Sequence, residues 1–556
     1  MDSSETSANI SFILKELDDI HFQAGPLFQR LQRYKCLNSC QNNELDAIYN
    51  LIESHSPGLR SKAALRYEKL LTSDAESINK DSPLYLTKEN MGFTCSTAAK
   101  EENVRRVLRQ IEDLPKRYLL CIISEWTLVQ LTPQYNAADN INEDNKIYYT
   151  NPIHISVFNC GKNQVDPFMV TVDSPKDPVN GKQVELAQEM MSIITGNKEA
   201  LMFNKQKTFK NHKEKSSYFN RRQSIEDRLR AIIRDLENMW LKEWRCLLSG
   251  KYYDDKLEEQ IKYEIKNFLK SEASDLDISE KIRTILGYVV KGTPYLTSVE
   301  IKRAVYYCFP KMEDKNFRRT LAQFIKNLGD KLIVRGVNDK KHPLILILDD
   351  SLDCFPWEMM DILQNEPISR VPSFHFIYSL FKEHEKTIVD GHKIVSEFER
   401  GAYIVNPDMD LKNMEVRMMN FFNYWTPKWT GTSGSQPGGE TFFELLTSSE
   451  IFSPCVVGML WEVTDLDTDI LTTEFMSQWI PSTAPTHWKY VDKTKWKKAE
   501  DKIKFTKSKT VVDDDSNYCE PELLRALSLS KKSVSFYGTK SACVARGLPV
   551  KIQISN

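Results

Sequence analysis

An acidic cluster near the C-terminal part of the sequence is the strongest candidate for chemistry. It follows the apolar residues 455–460 and consists of Glu462, Asp465, Asp467 and Asp469. Like-charged carboxylates at the end of a strand repel one another unless a cation lies between them. A guanidinium meets that need because it donates two parallel hydrogen bonds to one carboxylate. We therefore predict an arginine-binding pocket at Asp465, supported by Glu462 and by a stacking face on Trp461; the alternative is a set of solvated surface acids.

The sequence offers little else that could bind a metal ion or perform catalysis. The glycine-rich residues 431–439 lack the Gly-Lys-Ser/Thr ending of a phosphate-binding loop. His384 and His392 are eight positions apart, which is not the spacing of a metalloprotease pair. Cys36 and Cys40 have no second ligand pair at zinc spacing. The sequence therefore predicts no metal ion and no cofactor, and no catalytic residue can be named.

The elements that would position the acidic cluster are apolar strands separated by helices. Residues 344–348 and 455–460 are strand-sized apolar runs, and such runs are typical of a parallel sheet covered on both faces. Ligands in these sheets bind beyond the carboxyl ends of the strands. This topology would place Asp349, Asp350 and Asn406 at the same edge as the acidic cluster.

Three regions follow from the hydrophobic spacing. Residues 1–90 form a helical N-terminal segment, in which apolar residues recur at three- and four-residue intervals. Residues 91–335 form an α/β unit with a helical insertion at about 205–330. The basic residues 205–222 inside it are predicted to be a solvated linker or insertion, in preference to a nucleic-acid-binding patch. Residues 336–556 form the second α/β domain, which carries the acidic cluster.

Composition narrows the class of protein. The formal net charge of −2 over 556 residues is not that of a polycationic nucleic-acid binder. The apolar runs are far shorter than the ~18 residues that cross a bilayer. The polar, acidic first residues do not form a signal peptide, so the eleven cysteines are expected to be reduced thiols in the cytoplasm or nucleus. We expect no membrane contact and no direct binding to nucleic acid.

Several sequence blocks resemble the separases, the cysteine endopeptidases that open cohesin at anaphase. These blocks are EWTLVQ at 125–130, LENMWLKEW at 236–244, LDCFPWE at 352–358, ISRVPS at 368–373, YIVNP at 403–407, WTGTSGSQP at 429–437, LWEVTDLDTD at 460–469 and GLPV at 547–550. Their order and spacing carry the resemblance, and the block at 460–469 is the most specific. The resemblance implies an α/β fold: a caspase-like parallel-sheet C-terminal domain, an α/β substrate-docking domain with a helical insertion, and a helical N-terminal segment.

The resemblance also implies that the catalytic groups are missing. In the family, a histidine in a Gly-His-Gly block and a cysteine in a Gly-Cys-Ser block lie between the helix after Trp429 and the strand before Trp461. Here Phe452 directly precedes Ser453, and both blocks are absent. Cys455 is no substitute, because it opens a strand instead of following one. We expect an incomplete domain whose smaller sheet closes across this junction, since such connections need only ~2–6 residues.

By resemblance, the parent activity is cleavage of the kleisin subunit of cohesin after arginine during sister-chromatid separation. The implied partners are a securin-type inhibitor, the kleisin substrate and, as in the compact insect-type separases, a separate protein that supplies the N-terminal arm. The implied location is the cytoplasm and nucleus, on the spindle and chromosomes in mitosis. Three alternatives stay open: a splice or gene-model variant of an active separase, a non-catalytic separase-like binding protein, and a helical scaffold unrelated to proteolysis.

Overall fold

The computed structural model is a mixed α/β fold. It describes residues 25–40, 42–57, 125–136, 150–161, 166–177, 179–206, 212–273, 276–312, 314–334, 340–434, 454–500, 502–506 and 519–553. Its strands are β1 (Thr127–Pro133), β2 (Ile153–Asn159), β3 (Phe168–Val172), β4 (Leu344–Leu348), β5 (Ile368–Val371), β6 (Ile388–Val389), β7 (His392–Val395), β8 (Ala402–Val405), β9 (Thr430–Ser433), β10 (Cys455–Met459), β11 (Cys543–Gly547) and β12 (Val550–Ile552).

The α-helices of eight residues or more are numbered separately in chain order. They are α1 (Pro26–Ser39), α2 (Glu44–Ser54), α3 (Leu186–Gln206), α4 (His212–Asp235), α5 (Asp255–Glu272), α6 (Glu280–Gly292), α7 (Ser298–Cys308), α8 (Lys315–Val334), α9 (Phe374–His384), α10 (Lys412–Trp425), α11 (Asp465–Trp479) and α12 (Leu523–Ser530). Within the described ranges, none of them combines the length and the hydropathy that a membrane crossing requires.

A seven-stranded sheet lies at the centre, in the order β10-β11-β5-β4-β1-β2-β3. The four inner strands β11, β5, β4 and β1 run parallel, whereas β10, β2 and β3 are each antiparallel to their neighbour. Every side chain of β4 is buried, because helices cover both faces of the sheet. The apolar run at 344–348 is therefore a central strand, as its composition predicts.

The sheet continues across the boundary predicted at residue 335. Strands β1 to β3 come from the predicted docking unit, yet β1 pairs with β4 from Thr127↔Leu344 to Leu131↔Leu348. On the other side, β11 and β10 extend the sheet beyond β5. The strand that follows the 452–453 junction thus lies at the edge of a shared sheet. The domain boundaries themselves stay a prediction.

The helical insertion predicted at about 205–330 contains α4 to α8 and the last residues of α3, and one part of its prediction was wrong. The basic residues 205–222 were predicted to be a solvated linker or insertion; residues 212–222 belong to α4 and are therefore not a linker, although most side chains of 212–221 are exposed, as predicted. Packing is seen at the end of the segment, where Arg222 is buried and its guanidinium carbon lies 4.5 Å from the centre of the Phe536 ring. A basic composition therefore did not prevent this segment from forming a helix.

Helices α1 and α2 form an antiparallel hairpin on one face of the sheet, which we call the N-terminal hairpin. Its apolar side chains, including Cys36, Ile48 and Leu51, pack in one cluster with Leu128 of β1 and Ile345 of β4. Asn43 caps α2 by accepting a hydrogen bond from the Asp46 backbone NH. The helical prediction for this segment is confirmed for 26–54, and its remaining residues lie outside the described ranges.

Candidate functional site

The acidic cluster is placed by β10 and α11. Strand β10 ends at Met459, and α11 begins at Asp465. Asp465 and Asp467 therefore lie in the first turn of a helix, where carboxylates are favoured by the positive end of the helix dipole. Asp467 accepts a hydrogen bond of 2.6 Å from the Thr464 hydroxyl. Part of the acidic pattern is thus a helix-start signal.

Arg417 of α10 lies between two carboxylates of α11. Its Nε donates to Asp469 Oδ2 at 2.6 Å, and its Nη2 donates to Asp465 Oδ2 at 3.2 Å. The Arg417 side chain is 4% exposed, whereas that of Asp465 is 43% exposed. Burial raises the pKa of Asp469 to about 7, although Arg417 acts in the opposite direction. The acidic cluster therefore does bind a guanidinium, and that guanidinium belongs to Arg417 of the same chain.

The other two predicted site residues have different surroundings. The Glu462 carboxylate lies 3.3 Å from Lys198 Nζ, and the Glu462 carbonyl accepts a hydrogen bond of 2.8 Å from Asn197, so both contacts are with α3. Trp461 is 8% exposed and packs in the main apolar cluster. Glu462 and Asp465 thus pair with cations from different helices. Their roles in binding an arginine, and the stacking role of Trp461, stay predictions.

The expectation that all these groups share one edge of the sheet was wrong. Because β10 is antiparallel to β11, with Cys455 opposite Gly547, its carboxyl end lies at the edge where β11, β5 and β4 begin. Asp349 and Asp350 follow β4 and lie at the opposite edge. Asn406 lies at neither edge of this sheet: it follows β8, which pairs with β9 in a separate sheet that has two strands within the described residues. Its amide donates to Glu415 of α10 at 2.7 Å.

Asp349 is held by the N-terminal hairpin, and residue spacing gave no signal for this contact. Its Oδ2 accepts from Gln29 at 3.1 Å and pairs with Arg33. His55 Nε2 lies 4.0 Å away and bonds to the Thr132 hydroxyl at 2.9 Å. Burial favours the neutral acid, but Arg33 and His55 outweigh it and lower the pKa of Asp349. This carboxylate therefore anchors the hairpin.

Cys455 lies in a poor environment for a nucleophile. Burial raises the pKa of its thiol to about 12, so the thiolate form is disfavoured at neutral pH. Residues 435–453, which precede it, lie outside the described ranges. In the part of the chain that is described, no three His, Cys, Asp or Glu side chains come together as metal ligands would.

Comparisons with known proteins show which family and which relatives this chain is similar to. The family model "Separin, protease domain" matches residues 162–452, slightly more than half of the chain. Separin of Mus musculus is 26% identical over 241 residues, covering 43% of this chain and 11% of the relative. Separin of Schizosaccharomyces pombe is 20% identical over 285 residues, which cover 48% of this chain and 15% of the relative. The chain thus matches only a small part of these relatives' length.

The fold is shared with solved structures. The chain matches the crystal structure of the Saccharomyces cerevisiae separase–securin complex at 3.0 Å resolution, with a TM-score of 0.60 and 14% sequence identity. The match covers 97% of this chain and 37% of the yeast chain, and the complex at 2.6 Å resolution matches with a TM-score of 0.59. From the extent of the family match, the chain belongs to the separin protease-domain family.

Proposed function

We propose that this chain acts in sister-chromatid separation as a separase-like protein that binds an arginine-bearing segment without cleaving it. One observation carries the proposal: two carboxylates at the start of α11 share a single internal guanidinium, and one of them, Asp465, is still partly open to solvent. The parent family cleaves the kleisin subunit of cohesin after arginine. A kleisin segment is accordingly the substrate class that we propose for this site.

The electrostatics favour a second cation. Above pH 7, where Asp469 with its pKa of about 7 is mostly ionised, the two carboxylates have two negative charges against the one positive charge of Arg417, so the site is one cation short. Asp465 makes only the longer of the two bonds to Arg417, at 3.2 Å. Its free lone pairs can accept from a second guanidinium, and a charge-assisted hydrogen bond of this kind contributes about 1.5–3 kcal/mol.

The absence of cleavage follows from what covalent proteolysis requires. A cysteine protease needs a thiolate and a base within hydrogen-bond reach. Residues 434–454, where the family's catalytic blocks would lie, contain neither histidine nor cysteine. The family match also ends at 452, directly before the junction. We therefore propose a non-catalytic protein; a variant transcript of an active separase is the other candidate, and sequencing transcripts across codons 451–454 separates the two.

The partners are proposed on the same basis. The matched yeast structure is a separase–securin complex, and we propose that this chain also accepts a securin-type inhibitor. We further propose a separate partner protein that supplies the N-terminal arm, as in the compact insect-type separases. The cytoplasm and nucleus, with the mitotic spindle and chromosomes, are the proposed location.

Binding of a peptide that ends in arginine tests the function directly. The purified chain should bind such a peptide, release no product from an arginine-site substrate, and resist labelling by a thiol-reactive arginine probe. Asp465→Asn should weaken peptide binding about tenfold, because it removes about 1.4 kcal/mol of charge interaction. Asp467→Asn is the matched control: this residue lies in the same helical turn but bonds to Thr464. Measurable turnover, or equal affinity in both variants, would refute the proposal.

A further inference from the structure

Two cysteines at the C-terminal end of α1 bring their thiol groups into contact. Cys36 lies within α1, and Cys40 directly follows the last residue of that helix. Their Sγ atoms are 3.5 Å apart. Cys36 is fully buried in the apolar cluster beneath the N-terminal hairpin, whereas Cys40 is half-buried at its margin. The spacing that offers no zinc site therefore still places two sulfur atoms side by side, away from the acidic cluster.

The two thiols of this pair differ in reactivity. A hydrogen bond from the Cys36 thiol stabilises the Cys40 thiolate and lowers the pKa of Cys40, although burial and the Glu44 carboxylate act in the opposite direction. The same contact and burial raise the pKa of Cys36. Since the thiolate is the nucleophile in thiol chemistry, the partly accessible Cys40 is the group that reacts first. Cys36 can then act only on a partner that Cys40 brings to it.

Cys354 provides an internal comparison for this pair. It is half-buried like Cys40, but its thiol donates to the Ser351 carbonyl at 3.9 Å, so its contact is an oxygen atom and not a second sulfur. Burial raises the pKa of Cys354 to about 11, although Arg370 acts in the opposite direction. Partial access to solvent is therefore not what distinguishes Cys40; the neighbouring thiol is.

We propose that Cys36 and Cys40 form a reversible disulfide by exchange with a small disulfide of the glutathione type. The Cys40 thiolate attacks one sulfur of that molecule, whose S–S bond breaks and releases one thiolate. Cys36 passes its proton to the released thiolate, and its sulfur then attacks the Cys40 sulfur, which expels the second thiolate. The proton that Cys40 gave to water on ionisation returns to this second thiolate. The chain thus loses two electrons and two protons, and the small disulfide is reduced to two thiols.

The disulfide changes the turn between α1 and α2. Cβ atoms four positions apart on a helix are about 5–6 Å apart, whereas a disulfide brings them to about 3.5–4.5 Å. Cys40 has to make this movement, because Cys36 is fixed in the core. The adjoining turn, in which the backbone NH groups of Asn42 and Asn43 donate to the Ser39 carbonyl at 3.0 and 2.8 Å, is loosened as a result. In a reducing compartment such a bond is short-lived, so the turn responds to oxidation.

Incubation of the full, reduced chain with glutathione disulfide tests the proposal, with peptide mass spectrometry as the readout. The tryptic peptide 36–60 contains both cysteines and no other. In the wild-type chain this peptide should lose two hydrogen atoms, and dithiothreitol should restore them. Cys36→Ala should instead accumulate glutathione on Cys40, roughly tenfold faster or more than on Cys354, because the rate follows the thiolate fraction. Cys354→Ser is the matched control and should form the disulfide at the wild-type rate.

Three results would overturn the proposal. The first is a wild-type peptide 36–60 that stays reduced, and the second is equal glutathione uptake by Cys40 and Cys354 in Cys36→Ala. If that variant fails to fold, Cys40→Ser decides, and oxidation of its Cys36 at the wild-type rate overturns the proposal. Hydrogen exchange gives the third: the amides of Asn42 and Asn43 should exchange several-fold faster in the oxidised wild-type chain than in the reduced one, and equal rates overturn the proposal.

Discussion

Two of the blocks that carry the family resemblance, 352–358 and 368–373, meet at one buried side chain. Arg370 of β5 is fully buried, and its Nε and Nη2 donate to Glu358 at 2.7 and 2.5 Å. The same guanidinium donates to the carbonyls of Asp353 and Phe355 at 2.6 and 2.7 Å. The Pro-Trp-Glu and Ser-Arg residues thus form one structural unit, because a buried arginine requires all its donors to be satisfied.

Removal of this guanidinium should strongly destabilise the chain. We expect Arg370→Met to lower the free energy of unfolding by about 3–5 kcal/mol, because Glu358 would be left as a buried, unpaired charge. Chemical denaturation monitored by tryptophan fluorescence measures the loss. The double variant Arg370→Met/Glu358→Leu should recover much of it, since no isolated charge remains. A double variant that is less stable than the single one would contradict this account.

Arg417 should control how stability depends on pH. In Arg417→Met, buried Asp469 loses the cation that opposes its desolvation, so its pKa rises further above about 7. A carboxyl group whose folded pKa is raised stabilises the protein below its unfolded pKa and loses this contribution as pH rises. We therefore expect the variant to lose stability between pH 5 and 8, by about 1.4 kcal/mol per unit of pKa shift. Denaturation curves at these two pH values measure the loss, and Asp469→Asn in the same background should abolish the pH dependence.

At the scale of elements, the contact between the N-terminal hairpin and the sheet contains buried histidines. Burial lowers the pKa of His55 and of His154 to about 4. His55 faces Asp349 and Arg33, with His375 nearby, and Arg33 also opposes protonation of His154. Of the two, His55 is the ring that contacts the sheet from the hairpin, because His154 bonds to Thr171 of β3 at 2.9 Å.

Acid should therefore release the N-terminal hairpin before the rest of the fold. A histidine whose folded pKa is depressed contributes stability above its unfolded pKa of about 6.5, and this contribution is lost as pH falls towards 4. The His55 ring contributes roughly 2–3 kcal/mol across that window. Hydrogen exchange of residues 26–54 should accelerate as pH falls from 7 to 4, after correction for the intrinsic rate. The acceleration should shrink in His55→Gln; protection that does not change with pH would contradict the prediction.

The sequence predicted the strands better than it predicted their directions. The apolar run at 344–348 is sufficient to predict β4, because a strand buried on both faces has no polar alternation. The direction of β10 depends on its neighbour β11, which lies almost ninety positions later in the sequence. The spacing of apolar residues near β10 does not indicate which strand it pairs with. The same limit applies to the site: Asp465 was predicted to bind a guanidinium, but its internal partner Arg417 lies on another helix.

At the scale of the whole molecule, the continuous sheet contradicts the idea of two loosely joined halves. Residues Thr127–Leu131 of β1 and Leu344–Leu348 of β4 pair in parallel across the predicted boundary. A cut at 335 would expose one edge of β4 together with its apolar faces. Exposed strand edges of this kind cause aggregation. The predicted peptidase domain is therefore expected to depend on the preceding unit.

Expression of fragments tests this dependence. Residues 336–556 alone should be insoluble or aggregated, and co-expression with residues 1–335 should restore a soluble complex. Size-exclusion chromatography and circular dichroism distinguish the two outcomes. A monomeric, cooperatively folded 336–556 fragment would show instead that the boundary predicted from sequence separates independent domains.

The attachment of the N-terminal hairpin also has a consequence for biosynthesis. Arg33 and its acceptor Asp349 are 316 positions apart. At ~5–20 residues per second, translation between them takes roughly 15–60 s. During this time the nascent helices have no β4 to cover, and their apolar side chains stay available to other polypeptides. The ribosome-bound chain should therefore recruit chaperones at its first helices and release them once β4 and Asp349 have left the exit tunnel.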